Sequence, residues 1–337
     1  MKKQRILTIL GLFLLVLVFL LNWNNVMEGL KDGEYALILI AVPCWLIGGC
    51  LRAIRWRMLL DYDGKTGISL LFAMRVIYGA FFMEIIGPKV TSDLYRGTLL
   101  WTASDKQIKF SRSFGVIIFE RFLDFFLKLL IAIIGIILLG QTVSEIGEGS
   151  TTVIIFSLFL FCGFVIFFAL LSREDVAVAI SEKWIKTTGP KKDSLAGKID
   201  PSEFSRIANT FVSLAKSKSH LARSGLLTLA TFIVDLFVWI LLFASVDVKP
   251  DVFMLAFIMA VVALAIFVSM FPGGYGVREI AGTVALIWAG VEPEIALTAL
   301  IVLRLFNLLM NIMFGGSFFV LTSALLKEKE GLQNPKN

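Results

Sequence analysis

Polar residues divide this chain into apolar runs at roughly 6–21, 35–60, 68–86, 90–104, 113–140, 151–171, 222–245, 252–271, 275–290 and 295–326. A membrane-spanning helix needs roughly 20 apolar residues to cross about 30 Å of hydrocarbon. The pattern therefore predicts an all-α polytopic membrane protein. Two pairs of runs are peculiar. One pair is separated only by Gly87-Pro88-Lys89 and the other only by Pro272-Gly273-Gly274. Neither gap lets a chain leave the bilayer, turn in water and re-enter. Proline breaks a helix by removing a donor and clashing with the preceding turn, and glycine permits the dihedrals of a tight reversal. Each pair is either one kinked helix or a re-entrant hairpin.

Charge decides between these. With both pairs as hairpins (68–104 and 252–290), twenty-three basic residues fall on one side of the membrane, against Lys31 and Lys249 on the other. The basic side includes Lys2, Lys3 and Arg5, the stretch 52–67 with Arg52, Arg55 and Arg57, and the long loop 172–221. Basic loops mark the cytoplasmic face, and making either hairpin a full crossing would move every later loop to the wrong side. The expected architecture is about six spanning helices plus two oppositely oriented re-entrant helical hairpins. It forms a single membrane domain over 1–337, with halves 1–171 and 222–326 and a cytoplasmic tail 327–337. Two hairpins entering from opposite faces, each followed by a spanning helix, outline an inverted repeat, and in such proteins substrates bind at broken helices near the midplane. The location expected is the cell (inner, cytoplasmic) membrane, with both termini cytoplasmic. Loop 172–221 contains an amphipathic segment with Phe204, Ile207, Phe211, Val212, Leu214 and Ala215, which reads as a short helix lying on the cytoplasmic membrane surface.

Composition agrees. The 337 residues are 58% hydrophobic and 17% charged, with a net charge of +6 and a mean hydropathy of +0.86, far from the balance of a soluble domain. The basic excess sits in loops, which favours membrane over nucleic acid. Cys44, Cys50 and Cys162 lie in apolar runs as packing residues, and His220 stands without companions, so neither a metal site nor a cofactor is expected. The start, Met1 to Arg5 followed by Ile6 to Leu21, resembles a signal peptide but leads into Asn22-Trp23-Asn24-Asn25 rather than a small-residue cleavage site. It reads as a retained first helix.

Charge inside an apolar segment is costly and usually functional. With the basic residues at the cytoplasmic run ends set aside, the charged residues there are Arg75, Glu84, Lys89, Asp93, Arg96, Glu120, Arg121, Asp124, Lys128, Asp235, Arg278, Glu279 and Arg304. At the first break, Lys89, Asp93 and Arg96 surround a helix start, where free N–H groups attract anions, and Asp93 can pair with Arg96 three residues on. At the second break, Gly273, Gly274 and Gly276 allow a sharp turn. Arg278 then sits in the first turn of the returning half-helix, well placed as a phosphate clamp, with Glu279 to hold the turn or neutralise the arginine. Glu120 and Asp124 share a face of helix 113–140 and need cations opposite, for which Arg278 or Arg304 are the candidates. Arg304, Asn307 and Asn311 form a polar stripe on the last helix. Asp235 and Lys128 read as structural or snorkelling residues. Gly48-Gly49 and Gly315-Gly316 allow close helix contacts, within the chain or between chains.

The segment Pro272-Gly273-Gly274-Tyr275-Gly276-Val277-Arg278-Glu279 resembles the P-G-G-x-G-x-R-E signature of the lysylphosphatidylglycerol synthase membrane-domain family, also called flippase-like. Glu120-Arg121-Phe122-Leu123-Asp124 is similar to its E-R-x-x-D element. Gly87 to Arg96 is similar to its P-x-x-x-G-x-x-x-R segment, with Asp93 near where a glycine is usual, and Arg304 matches the arginine of the last helix. The resemblance covers about residues 5–325 and implies movement of lipids with polar headgroups between leaflets. Bifunctional members carry a soluble aminoacyltransferase domain after the membrane part. This sequence ends at Asn337, so lysyl transfer is not expected.

The function expected is therefore translocation of a lipid with a phosphate-bearing headgroup. Lys89, Arg96, Arg278 and Arg304 would bind phosphate, and Glu120, Asp124 and Glu279 would hold the arginines. Candidate lipids are aminoacylated phosphatidylglycerol, polyprenyl phosphate and glycolipids. The partners are anionic membrane lipids, not nucleic acid, with a homo-oligomer or a lipid-synthesis enzyme as further candidates. The alternatives are an integral membrane polyprenyl-phosphate or lipid-modifying enzyme and a small-solute transporter. Against the enzyme, no D-x-D, Ser/His or Cys/His set appears and the outer loops are short. ATP drive is not expected without GxxxxGK[ST].

Overall fold

The computed structural model describes residues 34–87, 89–104, 108–139, 201–249, 251–268, 274 and 276–333. The expected spans 6–21 and 151–171 and most of loop 172–221 lie outside the described residues. Among those described, regular structure is all helical. Helices α1 (Tyr35–Leu60), α2 (Leu70–Ile86), α3 (Lys89–Ala103) and α4 (Phe110–Leu139) are followed by α5 (Pro201–Lys216) and α6 (Lys218–Ala244). After them come α7 (Val252–Val268), α8 (Val277–Trp288), α9 (Pro293–Met310) and α10 (Gly316–Gln333). A π-helical turn, Asn311–Gly315, joins α9 to α10.

Among the described residues, three stretches are long and apolar enough to cross a membrane: Tyr35–Asp63, Lys218–Ala244 and Pro293–Ala324. Helix α4 has 30 residues, about 45 Å at 1.5 Å per residue, but carries Glu120, Arg121, Asp124 and Lys128 within its apolar length. With 17, 15, 17 and 12 residues, α2, α3, α7 and α8 reach only about 18–26 Å, short of the hydrocarbon thickness.

The short helices form two hairpins. At the first break Gly87 is extended, with φ −144° and ψ 174°, and α3 folds back on α2. The chain approaches so closely that a Cβ on Gly79 would lie 2.7 Å from the Tyr95 hydroxyl. In one continuous helix those residues would be about 24 Å apart. At the second break Gly274 and Gly276 take φ +65° and +81°, a region that β-carbons disfavour, and α8 returns along α7. The first hairpin packs on α1, the π turn and α10, and α7 packs on α4.

Two apolar cores result. One gathers Trp56 and Leu59 of α1, Val76 of α2, Leu100 of α3, Phe119 of α4 and Leu214 of α5. The other gathers Phe232, Trp239 and Leu242 of α6, Leu255 and Ile258 of α7, Leu286 of α8 and Leu300 and Leu303 of α9. Each core is built around one hairpin. Between lipid-facing helices close packing replaces water exclusion as the driving force, and small residues permit it. A Cβ on Gly49 would lie 2.5 Å from the Tyr78 ring, and one on Gly315 would lie 2.8 Å from the Tyr78 carbonyl. Both glycine pairs thus serve contacts within the chain.

Two expectations are corrected. Helix α5 does not offer its apolar face to a membrane surface. Ile207, Phe211, Val212 and Leu214 are buried, with Phe211 edge-on to Phe119 and Phe122 of α4. Gly115 of α4 leaves the room, since a Cβ there would lie 2.6 Å from Thr210 and 2.9 Å from the Ile207 carbonyl. Second, Arg52, Arg55 and Arg57 are not loop residues, because α1 continues to Leu60. The charge asymmetry survives without them.

Candidate functional site

The cores meet at a cavity of about 290 Å³ lined by α1, α2, α3, α4, α6, α7, α8 and α9. Its polar wall comes from short stripes with helical spacing. Arg52 and Arg55 face it from α1, Glu120, Asp124 and Lys128 from α4, and Thr228, Thr231 and Asp235 from α6. Arg304, Asn307 and Asn311 face it from the α9 end. Steps of three and four residues keep each set on one helix face.

Arg55 is the hub. It is 3% exposed, and it donates through Nε to Glu120 Oε1 at 3.2 Å. Through Nη1 it donates to Asp124 Oδ1 and Thr228 Oγ1, both at 2.6 Å. One guanidinium thus joins α1, α4 and α6, using the fixed fork that suits arginine to such sites. The other carboxylate oxygen of Glu120 accepts from Arg96, whose guanidinium lies 5.1 Å over the Trp56 ring. Arg121 donates to both oxygens of Asp93 at 3.1 and 2.6 Å. Arg96 is 3.9 Å from that carboxylate, so the expected i,i+3 pairing is only the weaker contact of Asp93. Arg52 donates to Asp235, and Gly48 leaves them space, since its Cβ would lie 3.1 Å from Arg52 and 3.3 Å from Asp235.

At the second hairpin Glu279 holds the turn as expected, but the arginine that it faces is Arg304 and not Arg278. Its Oε2 accepts from the Gly276 N–H at 2.8 Å, closing the N-terminus of α8 as a capping carboxylate does. Its Oε1 lies 3.6 Å from Arg304 Nε. The cations opposite Glu120 and Asp124 are therefore Arg55 and Arg96, not Arg278 or Arg304. Arg304 is turned toward Glu279, while Arg278 makes no hydrogen bond or ion pair with another described residue and its Nε is buried without a partner. Asn307 donates one amide N–H to the Leu303 carbonyl at 2.8 Å, which leaves its second N–H and its oxygen for a ligand.

Of the expected site residues, Lys89, Arg96, Glu120, Arg121, Asp124, Gly274, Arg278, Arg304 and Asn307 line the cavity. Asp93 and Glu279 stand behind it as partners of Arg121 and Arg304, and Gly276 caps α8. Gly273 lies outside the described residues. Sequence reasoning missed Arg52 and Arg55, which it placed in a loop. It also read Lys128 and Asp235 as structural, whereas both line the cavity. The signal was present: Arg52 and Arg55 lie within the apolar run 35–60, and Thr228, Thr231 and Asp235 form a stripe on the run that follows loop 172–221.

Eight cationic side chains line the cavity, Arg52, Arg55, Lys89, Arg96, Arg121, Lys128, Arg278 and Arg304, against the carboxylates Glu84, Glu120, Asp124 and Asp235. Counting Asp93 and Glu279 behind them, the described wall keeps an excess of two positive charges. Uncompensated charge at this depth is expensive, and it fits an anion. The rest of the wall is apolar and aromatic, with Trp45, Phe81, Phe125, Phe232 and Trp239.

Two hairpin breaks and the Glu120–Asp124 element meet at one charged cavity, and the family profile described as "Lysylphosphatidylglycerol synthase TM region" matches residues 6–315. The chain belongs to that family. It is also similar to the UPF0104 membrane protein PH1989 of Pyrococcus horikoshii, at 22% identity over 345 residues, covering 96% of this chain and 98% of that protein. No solved structure matches the chain at a significant level. The PGGxGxRE element of the family is here the turn that ends in Gly276, Arg278 and Glu279. Its glutamate closes the half-helix, and its arginine faces the cavity with no ion-pair partner among the described residues.

Proposed function

We propose that this membrane protein moves a lipid with a phosphate-bearing headgroup between the two leaflets. The observation that carries the reading is the cavity itself, which lies between two broken-helix hairpins and whose cations outnumber its carboxylates. Phosphate would be met by Arg278 and Lys89 at the two breaks and by Lys128 on α4. The paired arginines Arg55, Arg96 and Arg121 hold the wall in place for them. Acyl chains would stay against the apolar outer faces while the headgroup crosses through the polar interior. Membership of a family named for a lipid synthase supports a lipid as the ligand. Against an enzyme that binds a divalent cation, Glu120, Asp124 and Asp235 are each already hydrogen-bonded by guanidinium groups, so a metal would have to strip them.

The test is reconstitution of the full chain into vesicles carrying a trace of fluorescent phosphatidylglycerol, phosphatidic acid or a polyprenyl phosphate, with the label in the outer leaflet destroyed by a reductant. Translocation leaves less than the inner-leaflet half of the signal protected for at least one of these lipids. Protection equal to protein-free vesicles for the whole panel would set the reading aside.

A further inference from the structure

Resting on the reading above, the charge pattern of the cavity narrows the headgroup. Five of the eight cations in the wall can be matched to an anion. Arg52 is matched by Asp235, Arg55 by Asp124 and Glu120, Arg96 by Glu120, Arg121 by Asp93 and Arg304 by Glu279. Three cations remain, Lys89, Lys128 and Arg278, none with an ion-pair partner among the described residues. One carboxylate remains, Glu84, whose only hydrogen bond to a described residue comes from the Ser92 hydroxyl at 3.3 Å. All four line the same cavity. Three positive charges and one negative leave an excess of two, and Arg278 Nε is a buried donor with no acceptor among the described residues.

Charges in a low-dielectric enclosure are stable only when compensated. A zwitterionic headgroup would leave the excess at two, and a phosphodiester would leave it at one. A phosphomonoester carries about −1.5 to −2 near neutral pH, with its second ionisation near pH 6, and offers three terminal oxygens for three cationic donors. We infer that the cavity selects a lipid phosphomonoester, a single terminal phosphate on an apolar anchor, over phosphodiester and zwitterionic lipids. Lys89, Lys128 and Arg278 are its specificity-determining residues. Polyprenyl phosphates and phosphatidic acid share this chemistry, as does free inorganic phosphate.

The experiment compares binding of phosphatidic acid, phosphatidylmethanol and phosphatidylcholine with identical acyl chains to the full-length protein in detergent. Inorganic phosphate serves as a competitor. Phosphatidylmethanol is the phosphodiester that differs from phosphatidic acid by one methyl group. At pH 8 phosphatidic acid is expected to bind at least tenfold tighter than phosphatidylmethanol. The ratio falls toward one at pH 5, where the monoester has lost its second charge. Lys128→Gln and Arg278→Gln each erase most of the preference, leaving affinity for phosphatidylmethanol within about threefold. Lys249→Gln, on an exposed loop residue paired with Asp247, leaves the preference intact. Inorganic phosphate at millimolar concentration displaces neither lipid, and displacement by it would reassign the site to a soluble anion. Equal binding of the two anionic lipids, or a preference that survives both substitutions, would overturn the inference while leaving lipid translocation standing. Failure of every lipid to bind would instead remove the reading on which it rests.

Discussion

The residue that organises the cavity is Arg55, and its consequence is measurable. Three helices are tied through one buried guanidinium whose partners are Glu120, Asp124 and Thr228. Glu120 in turn serves two arginines, so removing its charge strands both. Breaking a buried ion pair from one side typically costs about 3–5 kcal/mol. Glu120→Gln should therefore lower thermal stability in detergent strongly, with a free-energy loss of about that size. Arg278→Gln should leave stability unchanged or raise it, because it removes a buried cation that has no ion-pair partner among the described residues. Equal destabilisation by the two variants would mean that Arg278 is a structural residue and that the division between paired and unpaired cations is wrong. At this scale much was legible in the sequence. The charged residues inside apolar runs named nearly the whole wall, and the turn glycines pointed to the φ of +65° and +81° now seen at Gly274 and Gly276. Partners were not legible. Spacing places Glu120 and Asp124 on one face of α4, but which helix lies opposite is a tertiary fact, so Arg278 and Arg304 were nominated where Arg55 and Arg96 stand.

At the scale of elements, the breaks were readable because proline and glycine act locally. A three-residue gap forces the same reversal wherever the hairpin sits. Helix ends were less so. Charge content placed residues 52–67 in a loop, yet α1 runs on to Leu60, since Arg52 and Arg55 find carboxylates on α6 and α4 rather than water. For α5, periodicity correctly indicated one apolar face, but an amphipathic helix reads the same whether it covers lipid or protein. Packing on α4 decides the matter and makes a prediction. Phe211 is 5% exposed between Phe119 and Phe122, so Phe211→Ala should cost about 3–5 kcal/mol, as a buried phenylalanine does. Thermal unfolding in detergent checks it. A change under about 1 kcal/mol would return α5 to the membrane surface. The π turn at Asn311–Gly315 had no expected counterpart. The segment 295–326 is mostly apolar, its polar positions being Arg304, Asn307, Asn311 and a few threonines and serines, and nothing in that pattern marks a wide turn. The turn is made where Gly315 lets α2 approach within backbone contact.

For the whole molecule, the two hairpins occupy corresponding places. In the first half α3 is ion-paired to the long helix after it through Arg96–Glu120 and Asp93–Arg121. In the second, α8 is paired to α9 through Glu279–Arg304. Each hairpin core closes one side of the same cavity, the arrangement in which rocking of one half against the other would expose a midplane site alternately to the two faces. The central claim is that the headgroup passes through this cavity. It is tested most directly by initial translocation rates in proteoliposomes for wild type against the Lys128→Gln/Arg278→Gln double variant, at matched incorporation and with folded protein verified by thermal unfolding. The account predicts a rate at least tenfold lower for the double variant, with stability retained. A rate equal to wild type from a folded, inserted double variant would contradict it and place the lipid path elsewhere on the protein.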